Sequence, residues 1–220
     1  MHQKYVDEFN GIRNDIKELS VNIIQGYKME LEAFKERDVA KLDASKSVFK
    51  GIDTKANAID NRIIKVFALF EPEAKLLREL VALLKTTNEL SRISSSGRKY
   101  AVNMKTHIEE KVDFKGIEEY LILIHEAAVK ALEYATRLDD DTEKYEEDYK
   151  KTMIQEAKTD DLYSVLEKEI LSKMCQGEDL TLNYINILNI ARKFERVADH
   201  AANIAKMYLY AKKGGSIEVY

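Results

Sequence analysis

The chain has 220 residues, of which 45% are hydrophobic and 34% charged, with only 8 Gly and 1 Pro. Its formal net charge of -4, from 35 Lys+Arg against 39 Asp+Glu, leaves no basic excess for nonspecific nucleic-acid binding. The lone Cys175 excludes an intramolecular disulfide framework and a cysteine-based zinc site, and no apolar run approaches the ~18 residues of a membrane span.

That composition predicts long helices with solvated outer faces and short connections. The N-terminal stretch MHQKYVDEFNGIRND is polar and charged, with no apolar signal core, so the expected location is the cytoplasm. A first helix is expected from about Lys4 to Lys35, where Phe9, Ile16, Leu19, Ile23, Tyr27, Leu31 and Phe34 keep a helical period. Gly11 and Gly26 weaken that pattern locally without breaking it. After a turn at Glu36–Asp38, a second helix is expected from Val39 to Phe70, carrying Val48, Ile52, Ala56, Ile59, Ile63 and Val66. Pro72 stops it and suits the first turn of a third helix, from about Glu73 to Glu110. Leu76, Leu77, Leu80, Leu83, Leu84, Leu90 and Ile93 mark its apolar face, and the run Ser94-Ser95-Ser96-Gly97 is its expected weak point.

The second half repeats this layout. Asp113 reads as the N-cap of a fourth helix, about Phe114 to Leu138. Asp139-Asp140-Asp141-Thr142 reads as a turn and cap, leading to a fifth helix from about Glu143 to Met174. Gly177 marks a stop, and a sixth helix runs from about Leu180 to Lys212, ended by Gly214-Gly215. The expected fold is therefore all-α, with six long antiparallel helices in two tandem three-helix bundles. The boundary falls near residue 112: a first bundle over 1–112, a second over 113–213 and a tail over 214–220. Leu90-Ser91-Arg92-Ile93-Ser94-Ser95 aligns with Phe194-Glu195-Arg196-Val197-Ala198-Asp199, which is the trace of a tandem repeat.

The chemistry concentrates in the last helix, ARKFERVADHAANIAKMYLY. Ile187, Ile190, Ala191, Phe194, Ala198, Ala201 and Ala205 form one apolar stripe. Glu195 and Asp199 lie four residues apart beside that stripe, where like charges repel by a few tenths of a kcal/mol. A cation would turn that cost into attraction, and hard cations favour carboxylate oxygens. On spacing alone, solvated acidic pairs explain such residues better than a metal site does, because E-x-x-x-D arises often by chance in acidic helices.

Glu195-Arg196-Val197-Ala198-Asp199-His200-Ala201-Ala202-Asn203-Ile204-Ala205 closely resembles the ERIGDHAxNIAE signature of the PhoU family of phosphate-signalling regulators. The resemblance implies two three-helix bundles whose E-x-x-x-D pairs, drawn from two helices of each, bind multinuclear metal clusters. Glu156 and Asp160 on the fifth helix then face Glu195 and Asp199 as a metal site. Antiparallel helices about 8–10 Å apart can bring four such carboxylates round a cation. A transition metal ion or cluster, iron or zinc, is the implied cofactor. The first half departs from the pattern. It has Asp53 and Asn57 on its second helix, and Ser91 and Ser95 in the signature's place. Hydroxyls and an amide bring no charge to offset cation dehydration, so this site is expected to be degenerate and empty. His200 points away from the carboxylate pair and reads as a packing or surface residue. Arg192 and Arg196 read as charge balance, and Asn203 as a solvated residue or one orienting a ligand water.

Six tyrosines of the second half, from Tyr145 to Tyr210, are explained by core and interface packing. There is no Gly-rich phosphate loop and no nucleophile–base pairing, so no active site is expected. The resemblance implies a non-enzymatic regulator that binds phosphate-transporter subunits, a sensor histidine kinase, or both. It would reach the membrane only through such partners, with a homodimer compatible. Two alternatives stand beside it. A metal-free helical adaptor is one. The other is a carboxylate-bridged di-iron enzyme, which normally needs Glu-x-x-His on two helices. The residues three before His107, His125 and His200 are Met104, Ile122 and Val197, so the enzyme is disfavoured.

Overall fold

A computed structural model describes residues 3–137, 142–175 and 181–214. They form α1 (Gln3–Glu36), α2 (Val39–Val48), α3 (Ile52–Phe70), α4 (Ala74–Glu109), α5 (Glu118–Ala135), α6 (Thr142–Cys175) and α7 (Thr181–Lys213). Helices α1 to α4 make one bundle, with α2 and α3 end to end as a single leg, and α5 to α7 make the other.

The expected second helix is broken, and the reason is a ring. Phe49 ends α2 with its backbone still in the right-handed helical region and its ring fully buried, while Gly51 turns the chain at φ +80, a conformation a side chain resists. The Phe49 ring fills a slot between two helices that only glycine can line. A Cβ on Gly26 of α1 would lie 2.5 Å from its Cζ, and one on Gly97 of α4 would lie 2.6 Å away. The Ser94–Gly97 run is therefore not a weak point. α4 passes through it unbroken, with Ser94 and Gly97 buried.

Other boundaries move for local reasons. Pro72 lies in the connection before α4 rather than in its first turn, and Glu71 closes α3 in a left-handed conformation at φ 41, a common way for a helix to end. Leu77 of α4 is 43% exposed and does not join the core. Asp113 does not cap α5. Its carboxylate accepts from the Lys115 N–H at 2.8 Å, closing a turn, and α5 begins at Glu118. The expected turn at Asp139–Asp141 and the stop at Gly177 lie outside the described residues, as does the tail beyond Gly214.

The two bundles share one continuous core. α7 is buried on several faces because it packs against α4 as well as α5 and α6, so Val197, Ala202, Ile204 and Met207 are buried beside the predicted stripe. At the seam, Tyr27 (α1), Tyr100 (α4), His125 (α5) and Phe194 (α7) form an aromatic cluster. Phe194 stacks on His125 with centroids 4.0 Å apart, and Tyr100 meets Phe194 at 4.7 Å. The Tyr27 hydroxyl donates to the Ile93 carbonyl at 2.7 Å. Two polar groups are sealed in nearby. The Glu30 carboxylate is fully buried with both oxygens unpartnered, and neither ring nitrogen of His125 makes a well-formed hydrogen bond. Burial pushes the Glu30 carboxyl well above the carboxylate range and the His125 imidazole down to about 3. The His125 imidazole is therefore neutral at pH 7.

Candidate functional site

α6 and α7 run side by side, and the charges of the two predicted pairs act on one another across that contact. The apolar stripe of α7 is buried throughout, as its period requires, with Ile187, Ala198 and Ala201 at zero exposure. This pins the helix's rotation and sets Glu195 and Asp199 at the edge of the core. Glu195 is half-buried, while Asp199 is exposed. On α6, Thr152 and Thr159 are buried and turn their hydroxyls back onto the Asp148 and Glu156 carbonyls, at 2.8 and 2.7 Å. That orientation leaves Glu156 half-buried and Asp160 exposed on the same side.

The four carboxylates share one electrostatic neighbourhood. Burial pushes Glu156 up, and Asp160 and Asp199 add to it. Asp160, though exposed as a residue, is raised by partial loss of water around its carboxylate and then by Asp199. Glu195 is raised by burial, with Arg192 pulling against it and Asp199 and Asp160 pushing further. Asp199 is likewise raised by partial loss of water around its carboxylate, while His200 and Lys206 lower it. Only Glu195 has an ion pair among the described residues, with Arg192 at 3.7 Å. Lys206, His200, Arg192 and Arg196 oppose that mutual repulsion, and all-oxygen donor chemistry is what hard cations take. No three His, Cys, Asp or Glu side chains among the described residues converge tightly enough to hold one ion as they stand. Binding would require these side chains to swing together.

The first-half positions are arranged differently. Asp53 pairs with Arg98 at 3.0 Å, Asn57 is exposed, and Ser91 and Ser95 are partly buried on α4. Sequence reasoning placed His200 outside the metal group. Its Nδ1 in fact meets the Glu89 carboxylate of α4 across the seam. Arg192 and Arg196 do more than balance charge. With Lys99 and Lys193 they line a cleft between α4 and α7. Reading the α7 run ARKFER alone could not reveal this, because Lys99 joins it only through the packing of α4 on α7.

Among the described residues, no helix is long and apolar enough to cross a membrane. The PhoU domain family matches the chain twice, over residues 16–104 and 121–207. The chain is 22% identical over 218 residues to the phosphate-specific transport system accessory protein PhoU homolog of Pseudomonas aeruginosa, covering 98% of this chain and 88% of that one. It is 23% identical over 205 residues to homolog 1 of Methanothermobacter thermautotrophicus, covering 90% of each. The crystal structure of PhoU from P. aeruginosa superposes with a TM-score of 0.87 at 19% identity, over 96% of this chain and all of that one. The phosphate transport system regulatory protein PhoU from Streptococcus pneumoniae superposes at 0.80, also at 19% identity, over 98% of this chain. Two matched domains, a matching helical fold and the motif of α7 converge, and the chain belongs to the PhoU family.

Proposed function

We propose that this protein is a non-enzymatic regulator of phosphate uptake and phosphate-starvation signalling. It acts by docking onto phosphate-transporter subunits, a sensor histidine kinase, or both, in the cytoplasm. The observation that carries the reading is the double PhoU-domain match across both bundles. The role of its relatives, accessory proteins of phosphate-specific transport, points the same way. Glu156, Asp160, Glu195 and Asp199 are the residues that would hold a metal, and the cation would supply the charge that lets the four carboxylates sit together. The family resemblance makes iron or zinc the cation expected there. The cation would also tie α6 to α7 and so stiffen the face offered to partners.

Two measurements test this reading. A deletion strain grown in abundant phosphate should express its starvation genes, and the wild-type gene should silence them; an unchanged response overturns the regulatory role. Metal content of the purified protein should be about one or more ions per chain. It should be lost in the Glu195→Ala/Asp199→Ala variant. No metal in either protein, after purification without chelator and incubation with iron or zinc, makes this a metal-free helical adaptor.

A further inference from the structure

Along the seam between the bundles, past the Glu89–His200 contact, α4 and α7 part to leave an open cleft of about 500 Å³. Lys99, Arg192, Lys193 and Arg196 line it, and none of its lining residues is a carboxylate. This is a local excess of cations in a chain whose net charge is -4. The charges that bear on the Lys193 ammonium from α4 and α7 are Lys99 and Arg196, both of its own sign. Lys193 itself donates to its own helix, to the Asn189 carbonyl at 3.3 Å. Of the four, Arg192 reaches a carboxylate, that of Glu195 at 3.7 Å.

His107 is only 5% exposed and lines the cleft; its Nδ1 is shut off from solvent and has no hydrogen-bond partner. Burial lowers the affinity of this imidazole for a proton, with Glu110 pulling the other way; in its neutral form one ring nitrogen is a donor. Asn103 and Asn189 add neutral amides. Fold symmetry does not demand this arrangement. In the internal repeat that aligns Leu90 with Phe194, Lys193 corresponds to Glu89 and Ser96 to His200. Where Lys193 and Ser96 line an open cleft, the related position is closed by the Glu89–His200 contact.

We propose that this cleft binds a small phosphate-bearing polyanion, a short polyphosphate chain or a compound with several phosphate groups. Arg and Lys would neutralise it, Arg in particular matching two phosphate oxygens at once. The His107 ring and the amides would satisfy the remaining oxygens. The cleft lies within the roughly 300–1,000 Å³ of small-molecule sites, more than one phosphate group fills. His107 is the only ring among its lining residues, so it offers no broad platform for a nucleobase. The choice of phosphate among polyanions rests on the regulatory reading above, whereas the cleft's charge and shape do not.

The test is titration calorimetry on the full chain with tripolyphosphate, orthophosphate, citrate and a hexaglutamate peptide, at low and moderate salt. Tripolyphosphate should bind most tightly, weaken as salt rises, and lose about tenfold or more in affinity in Lys99→Gln/Lys193→Gln. Thermal melting of that variant checks its fold, and a partner variant, Lys85→Gln/Lys206→Gln, should bind as the wild type does. No binding of tripolyphosphate, or binding that the cleft variant leaves unchanged, overturns the proposal. Equal binding of citrate overturns the phosphate specificity, and preference for hexaglutamate reassigns the cleft to an acidic protein segment. If the deletion strain is deregulated but nothing binds, the cleft proposal fails alone. If tripolyphosphate binds but deletion changes no phosphate response, the regulatory reading fails alone.

Discussion

The Phe49 slot allows a substitution whose sign should reverse with its neighbour. In an ordinary helix interior, Gly→Ala stabilises by about 1 kcal/mol, because alanine loses less backbone freedom on folding. At Gly97 the new Cβ would lie 2.6 Å from Phe49 Cζ and 2.8 Å from its Cε2. The ring cannot retreat, since it is fully buried and its far side already meets Gly26. Overpacking of this kind costs roughly 1–3 kcal/mol, so Gly97→Ala should be neutral to destabilising by about 2 kcal/mol in the wild-type chain. Phe49→Ala alone removes the ring and should cost about 3–5 kcal/mol. In that background the clash has gone, and Gly97→Ala should now stabilise by about 1 kcal/mol while filling part of the cavity. Urea unfolding of the four proteins gives the cycle directly, with the slope checking that the unfolded state is unchanged. If Gly97→Ala stabilises both backgrounds equally, within about 0.5 kcal/mol, the two residues are uncoupled and the ring does not fill this slot.

Further outcomes follow from the buried and charged groups. The folded-state imidazole of His125 sits at about 3, below its ordinary value, so its contribution is intact above that value and is lost as pH falls towards 3. The loss has a limiting slope of about 1.4 kcal/mol per pH unit, and His125→Phe should shallow the acid limb of a stability–pH curve; an unchanged limb refutes it. Glu30 has the opposite sign, because its raised folded-state value makes stability complete at acid pH and erodes it as pH rises. Glu30→Gln should flatten that decline, as read by melting temperature against pH. The raised values of Glu156, Asp160, Glu195 and Asp199 likewise predict that the metal-free protein loses stability as pH climbs through the carboxylate range. Added metal should reverse that trend in the wild type and leave Glu195→Ala/Asp199→Ala unaffected in a melting assay. At the seam, Phe194→Ala should cost about 3–5 kcal/mol, whereas Lys35→Ala, which breaks a half-exposed pair with Glu126, should cost under ~1 kcal/mol in denaturant unfolding.

Much of the architecture is written in periodicity. The stripe from Ile187 to Ala205 marked one buried face of α7, and that face in turn placed Glu195 and Asp199 at its margin. Helix existence was equally plain, because few Gly and one Pro leave little to interrupt a 3.6-residue period over more than thirty residues. The break at Phe49 was not legible. Its cause is steric and distant: two glycines, on α1 and α4, that read locally as helix weaknesses. Asp113 misled because a side chain that caps a turn looks, in one dimension, like one that caps a helix.

The sequence by itself determined the all-α class, the repeat and the carboxylate pairs, since each depends on contacts within one helix or on spacing along it. The tertiary structure alone decided how the two bundles join. The seam gathers Tyr27, Tyr100, His125 and Phe194 from four helices, buries Glu30, and brings Lys99 to Lys193 across a cleft. Those groups are separated by tens of residues, and local periodicity carries no information about which helix meets which. Only burial of the remaining apolar faces, α4 against α7 and α1 against α5, settles that pairing, and the cationic cleft exists because of it.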